Sequence, residues 1–323
     1  MAAVDNQEQP IKQIYPGPIF VQPWWLNAVA PERWHDIAIE KGGQLVARMP
    51  YVITEKKGFT SLSMPKLTQT LGPWLAPHKA KYAKKLSQEH QLLAELINNL
   101  PPFDHFKQNF HHSITNWLPF YWQGFQQTTR YTYIIPDLSD PEALWSETRA
   151  NIRTDIRKAQ KQLAIRTDLD LEIFLDLNEM TFKRQGLELP YSRDLVRRID
   201  RGCQTHNCRK IFFAEDHDGH LHASVYIVWD NQTAYYLMSG SDPERRNSGA
   251  TSLLLWEAIK FAATKVPSFD FEGSVIQPIE RFFRAFGAQQ VPYFQITKTN
   301  SLRHKIRQDV RTWSRLFRDQ HQK

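Results

Sequence analysis

The chain has only two cysteines in 323 residues, Cys203 and Cys208. That is too few for a disulfide framework in a chain of this size. No run of about 18 apolar residues occurs, so nothing reads as a transmembrane helix. The opening residues lack a basic stretch followed by an apolar one, which argues against secretion and for a cytoplasmic protein. Pro-rich and Ser-rich tracts are missing and charged residues make up 23%, so disorder is expected only in the polar residues 1–9. There is no Gly-x-Ser-x-Gly elbow, Walker loop or dinucleotide fingerprint, which removes serine-hydrolase, P-loop and Rossmann chemistry.

What is present is enough apolar material for two domains: 41% hydrophobic and 12% aromatic residues. Single cores stop growing by roughly 250–300 residues. The net charge of +7 is uneven. Residues 301–323 carry seven Lys/Arg against Asp309 and Asp319, a net +5, which leaves +2 for the rest. A basic patch suits phosphate-bearing partners such as CoA, nucleotide-sugars, tRNA or anionic lipid heads; a solvated helix face explains it equally well. In that tail Leu302, Ile306, Val310, Trp313 and Phe317 have helical spacing. They predict an amphipathic helix that docks on one of the domains or lies on a membrane surface.

The order of elements repeats. The first half reads as a helix at 24–30, a hairpin of strands 36–40 and 45–53 about Lys41-Gly42-Gly43, and a long helix over 79–100 ended by Pro101-Pro102. Then come Phe103-Asp104-His105-Phe106, an aromatic stretch from Phe120 to Phe125, and a strand at 129–135. Much later the chain repeats this order. Phe269-Asp270-Phe271-Glu272-Gly273 leads to an aromatic stretch from Phe282 to Phe286 and a strand at 291–297, after a helix at 252–264. A period near 150 residues indicates a duplicated domain, not a solenoid. The second copy starts with one helix over 141–163, a strand at 165–170 and helices at 171–185 and 193–206. Strands at 210–215, 221–229 and 234–238 follow, the first two joined at Asp216-His217-Asp218-Gly219. The expected fold is α/β (α+β). It comprises two tandem modules, 1–137 and 138–300, each a mixed sheet flanked by helices, plus a basic C-terminal helix, 301–323, docked on the first.

Two stretches can carry chemistry. The loop Ser239 to Thr251 joins a strand to a helix N-terminus, where free N–H groups, the helix dipole and the Arg245-Arg246 pair attract an anion. Gly249 permits close approach, and Asn247 or Ser248 suits a helix cap; a merely polar capping loop is the plainer reading. In Phe269–Gly273, strand alternation turns Asp270 and Glu272 to one side. A buried carboxylate there could serve as a general base, or both could pair with Arg281 or Arg284. Two metal patterns are set aside. Cys203-x2-His206-x-Cys208 lacks a second ligand pair, and His217 and His220 flank an exposed turn.

These residues resemble the GNAT acyltransferase superfamily, in the double-module branch related to Fem-type peptidoglycan aminoacyltransferases. Arg246-Asn247-Ser248-Gly249-Ala250-Thr251 is similar to the Arg/Gln-x-x-Gly-x-Gly/Ala pyrophosphate loop, with Thr251 at the last small position. The stretch from Asn151 to Ala159 resembles the Fem-type Asn-Ile-Arg-Lys-Ala helix, and 269–293 the last strand-helix-strand. The resemblance implies attack of an amine on a thioester or aminoacyl ester. N–H groups near Leu237, Met238 and Ser239 would hold the oxyanion, and Glu272 or Asp270 would take the proton. It implies acyl-CoA, acetyl-CoA first, held by Leu237–Ser239 and Arg245–Thr251, with no metal. The acceptor would be an amine of a cell-envelope sugar or related molecule. Trp24, Trp25, Trp117, Tyr121 and Trp122 could stack on sugar faces, with core packing the plainer reading, and Trp122, Arg130 and Tyr236 are assigned to acceptor binding. An aminoacyl-tRNA-dependent transferase extending a peptidoglycan peptide, and a non-catalytic protein binding an envelope precursor or membrane surface, are the alternatives. Contact with the inner membrane face is compatible with each; DNA is not an expected partner. The first module lacks the Arg-x-x-Gly loop and reads as degenerate.

Overall fold

A computed structural model describes residues 15–301 except 78, 185 and 274. The first half contains α1 (Pro23–Val29), β1 (Trp34–Lys41), β2 (Gln44–Lys56), β3 (Phe59–Leu62) and β4 (Trp74–Leu75). It continues with α2 (Tyr82–Asn98), β5 (His105–Asn109), α3 (Leu118–Trp122) and β6 (Gln126–Ile135). The second half begins with α4 (Pro141–Glu147), α5 (Ala150–Gln160), β7 (Leu163–Arg166), α6 (Leu171–Arg184) and α7 (Arg193–Thr205). Next are β8 (Arg209–Asp216), β9 (Leu221–Trp229), β10 (Thr233–Ser241) and α8 (Ala250–Ala263). The chain ends with β11 (Ser268–Asp270), α9 (Gln277–Arg284) and β12 (Gln289–Thr299). The predicted tail helix lies outside the described residues.

The elements form two compact units that interleave in sequence. The larger holds 15–29 and Tyr131–Val291; the smaller holds Ala30–Arg130 and 292–301. The compact units are thus not contiguous in sequence, unlike the expected modules 1–137 and 138–300. Helix α1 belongs to the larger unit because its aromatic face finds a partner there. Trp24 stacks on His206 at 4.5 Å and lies 3.0 Å from where a Cβ on Gly202 would stand, while Arg198 Nε donates to the Ala28 carbonyl at 2.8 Å.

The last strands are also exchanged. In the larger unit the end of β6 pairs antiparallel with β11, matching Ile134 to Asp270. Beyond β11 the order is β10, β9, β8, β7, with β10–β11 parallel and the remaining pairs antiparallel. In the smaller unit β12 pairs antiparallel with β5, matching Gln295 to Asn109. The order there is β1, β2, β3, β5, β12, with β3–β5 parallel. Each unit thus closes its sheet with a strand that follows the other unit in sequence. The repeat itself stands: β5–α3–β6 and β11–α9–β12 have the predicted order.

Period-based expectations held unevenly: Tyr82, expected on the apolar stripe of α2, is exposed. In α8, Leu254, Leu255, Ala258, Ile259 and Ala262 are all buried. The single helix over 141–163 is two helices, broken where Thr148 turns to extended backbone (ψ 130°). There both the N–H and hydroxyl of Thr148 go to the Leu144 carbonyl, and β-branched residues hold helix interiors less well.

The smaller unit's core gathers Leu93, Leu96, Phe106, Phe110, Phe120, Phe125 and Ile296. Gly72 lies against it with φ +103°, and a Cβ there would come within 2.3 Å of the Phe110 ring. Gly219, in the β8–β9 turn, also has positive φ (+83°) but opens onto empty space. Gly72→Ala should therefore lower unfolding free energy by about 2 kcal/mol or more, and Gly219→Ala by about 1 kcal/mol. Urea titrations of the two variants check the difference.

Candidate functional site

The site begins with two parallel strands that separate. β10 and β11 pair only from Thr233–Ser268 to Tyr235–Asp270. β10 then runs on to Ser241 while β11 stops. The cause is local: Glu272 (φ +58°) and Gly273 (φ +64°) are consecutive left-handed residues. They turn the chain onto β6, where a Cβ on Gly273 would lie 2.1 Å from the Tyr131 carbonyl. On the other side of the opening, β10 carries a bulge at Leu237, between Tyr236 and Met238 in its register with β9. Bulges re-aim backbone groups and end regular pairing. Beyond Tyr235 the β11-facing edge of β10 has lost its strand partner, and Leu237, Met238 and Ser239 lie there.

The two carboxylates come together, but not by strand alternation. β11 ends at Asp270, and the left-handed turn at Glu272 sets the second side chain. Phe269 and Phe271 share a face as expected, with rings 5.0 Å apart. Asp270 is buried and accepts from the Thr132 hydroxyl and from the Glu272 N–H (2.7 Å). Glu272 is partly exposed as a residue, yet its Oε1 is enclosed and has no hydrogen-bond partner. Burial, then the neighbouring Asp270 charge, holds the Glu272 carboxyl well above the usual carboxylate range. The salt-bridge alternative fails for Arg284, which is committed to Glu280 at 2.7 Å.

The loop at 239–251 departs from expectation in three details. Gly249, not Asn247 or Ser248, is the N-cap of α8, with φ +78° and no side-chain cap; Ser248 Oγ reaches only the Ala250 N–H, at 3.4 Å. Arg245 is tied to Asp242, so of the two arginines Arg246 is the exposed one. Gly249 is pressed on α5, where a Cβ would be 2.5 Å from the Asp155 carbonyl. Lys158 of the same helix donates to the Asn247 carbonyl at 3.4 Å. The first turn of α8, with Ala250 and Thr251, keeps uncapped N–H groups beside Arg246 and Lys158, the electrostatics of an anion cradle.

Tyr236 stands on the bulge, edge-on to Phe283 at 5.8 Å. Burial pushes its phenol up to about 12, partly offset by a hydrogen bond with Ser239. Trp122 and Arg130 belong to the smaller unit. Trp122 is 61% exposed and edge-on to His90; Arg130 donates to Gln295 Oε1 at 3.3 Å.

Sequence reasoning missed the residues that hold β10 from α6. Buried Asn178 donates to the Ser239 carbonyl at 2.6 Å and accepts from the Tyr191 hydroxyl at 3.1 Å. Thr181 Oγ1 accepts from the Ser241 N–H at 2.9 Å. Gly240 lets α6 approach, since a Cβ there would meet the Asn178 backbone at 2.5 Å. These partners lie about 60 residues apart in sequence, and only Gly240 gave a local signal. Thr132, the partner of Asp270, comes from the first half of the chain. Among the described residues, the one group of three ligand atoms within 4.8 Å of one another is Asp216, Asp218 and His220, on an exposed turn.

The smaller unit has the equivalent opening and fills it. β3 and β5 pair in parallel only at Ser61–His105 and Leu62–Phe106. The chain that follows β3 then enters the space. The Asn109 N–H contacts Met64 Sδ at 3.4 Å, Asn109 Nδ2 donates to the Gln69 carbonyl, and the Leu71 N–H donates to the Asn109 carbonyl at 2.8 Å.

A family profile described as an acetyltransferase (GNAT) domain matches residues 146–284. No curated protein sequence matches the chain. Among solved structures, FemX is similar with a TM-score of 0.66 and 13% identity, over 86% of this chain and 92% of that one. A tandem GNAT protein from the clavulanic acid biosynthesis pathway is similar with a TM-score of 0.50 and 13% identity, over 84% and 85%. The C-terminal domain of a putative lysylphosphatidylglycerol synthetase from Agrobacterium fabrum gives 0.50 and 12%, over 83% and 85%. The profile falls on the segment that carries the separated strands, the loop at 245–251 and the paired carboxylates. Residues 146–284 thus match a GNAT acetyltransferase domain, and the chain as a whole has a fold similar to that of FemX and of a tandem GNAT protein.

Proposed function

We propose that the protein moves an acyl group from acyl-CoA, acetyl-CoA first, to an amine of a cell-envelope sugar or related acceptor. The observation that carries this is the open end of the β10–β11 pair, with the unpartnered Glu272 Oε1 at its mouth. A thioester carbonyl laid along the β11-facing edge of β10 would meet N–H groups near Leu237–Ser239, which stabilise the oxyanion as charge develops. The acceptor nitrogen attacks the carbonyl carbon, Glu272 takes the ammonium proton, and the C–S bond breaks to release the thiolate, which is then protonated. A carboxyl held above its ordinary range is a stronger base than a solvated one. Asp270, anchored by Thr132 and the Glu272 N–H, keeps Glu272 in place. Tyr236 remains protonated and offers an O–H on the acceptor side. Arg246, Lys158 and the first turn of α8 hold the donor's phosphates. The smaller unit, with its own chain in the corresponding space, takes no donor.

An aminoacyl-tRNA donor is the second reading, favoured by one observation. The Asp155 carbonyl stands against Gly249, where an acceptor oxygen repels a phosphate, while Arg149, Arg157, Lys158 and Lys161 on and beside α5 are exposed.

Calorimetry with acetyl-CoA should show one site per chain and a raised Tm, without salt-sensitive tRNA binding. The opposite pattern selects the tRNA donor. Glu272→Gln should lower turnover roughly 100-fold or more; full turnover under saturating substrates removes Glu272 from the mechanism. In wild type the acid limb of kcat/KM should lie well above the ordinary carboxylate range and disappear in the variant. Stability carries its own sign. The raised Glu272 value favours the fold while the carboxyl is neutral, below the usual carboxylate value of 4.5. That contribution is lost as pH rises through the folded value. Melting curves should therefore show Glu272→Gln equal to wild type at low pH and increasingly more stable at neutral and alkaline pH.

A further inference from the structure

On one face of the smaller unit's sheet a polar row crosses three strands. Arg130 on β6 donates to Gln295 on β12, and Gln295 Nε2 donates to Asn109 Oδ1 on β5 at 2.8 Å. Lys107, two residues before Asn109 and so on its face, sits close enough to Arg130 for their charges to repel. Both cations are half-buried, and Arg130 Nε is enclosed without a hydrogen-bond partner. Among the described residues neither has an ion-pair partner; the ion pairs of this unit are Arg48–Asp36 and Lys85–Glu89. Burial first, and Arg130 second, draw the Lys107 ammonium below its ordinary value. Two adjacent cations drawn from water without a counter-charge cost the fold stability. A fork of N–H donors beside an ammonium is what a planar or tetrahedral oxyanion accepts.

We propose that Lys107 and Arg130, with Asn109 and Gln295 fixing their orientation, bind an oxyanion, a phosphate or carboxylate. Gln295 and Asn109 orient, because Gln295 spends its carbonyl on Arg130 and its amide on Asn109. That leaves Arg130 Nε and the Lys107 ammonium to face the ligand.

Full-length wild type, Arg130→Gln and Lys107→Met are titrated with pyrophosphate, orthophosphate, acetate and citrate at constant ionic strength. Saturable binding of at least one anion, weakened tenfold or more in each variant, is expected. Without ligand, both variants should melt no lower than wild type, since the repulsion is relieved. Binding of phosphates alone or of carboxylates alone sustains the site and names its ligand. No saturable binding, unchanged binding in both variants, or a lower Tm in both variants without ligand overturns it. Acetyl-CoA is titrated alongside, with equal affinity expected in wild type and Arg130→Gln. A tenfold loss there would give these residues to the donor's phosphates and overturn a separate anion site. The inorganic anions are read independently of acetyl-CoA. An acyl-transfer reading that fails for want of donor binding is thus distinct from a failed anion site.

Discussion

The β10–β11 pairing ends after three residues because Glu272 and Gly273 both take left-handed backbone and Gly273 is pressed against Tyr131 and Thr132. A non-glycine residue with positive φ costs on the order of 1 kcal/mol or more, and such strain collects where a site needs a particular geometry. Here the turn does three things together. It stops β11, so β10 is left with an unpartnered edge. It sets the Glu272 side chain near Asp270, with Oε1 enclosed and without a hydrogen-bond partner. It also brings the Glu272 N–H back onto Asp270, which Thr132 holds from β6.

The opposite wall is held from α6. Asn178 and Thr181, one helical turn apart, bind the backbone of Ser239 and Ser241. Gly240 allows the helix to lie flat on the strand. The bulge at Leu237 and the clamp from α6 set where the N–H groups of β10 point, and the turn at Glu272 sets where its carboxyl stands. In the proposed reaction, oxyanion stabilisation and proton removal would thus depend on separate backbone devices within one unit.

The smaller unit shows the same topology with its opening filled. Its parallel pair also separates after two residues, yet Met64, Gln69 and Leu71 fill the gap and bond to Asn109. A filled gap gives a better core and no cleft. What this unit keeps is a polar sheet face with the adjacent cations Lys107 and Arg130, groups suited to charge recognition and not to acyl transfer.

Much of this was legible in sequence. Helical stripes such as Leu254 to Ala262, the Asp218-Gly219 turn and the repeated Phe-Asp, aromatic-helix, strand order depend on contacts within a few residues, so period and turn chemistry determine them. Asp270, Glu272 and Gly249 could be picked out for the same reason. The larger corrections came from contacts between distant segments. The sequence could not say that β6 completes the later half and β12 the earlier one, because strands 126–135 and 289–299 have similar patterns and pairing choice is a tertiary matter. Nor could it say that Arg245 is spent on Asp242, that α6 supplies Asn178 to β10, or that Gly273 meets Tyr131. Local periodicity determined the elements and the candidate residues; long-range packing alone decided which strand closes each sheet, and so which carboxylate is left without a partner.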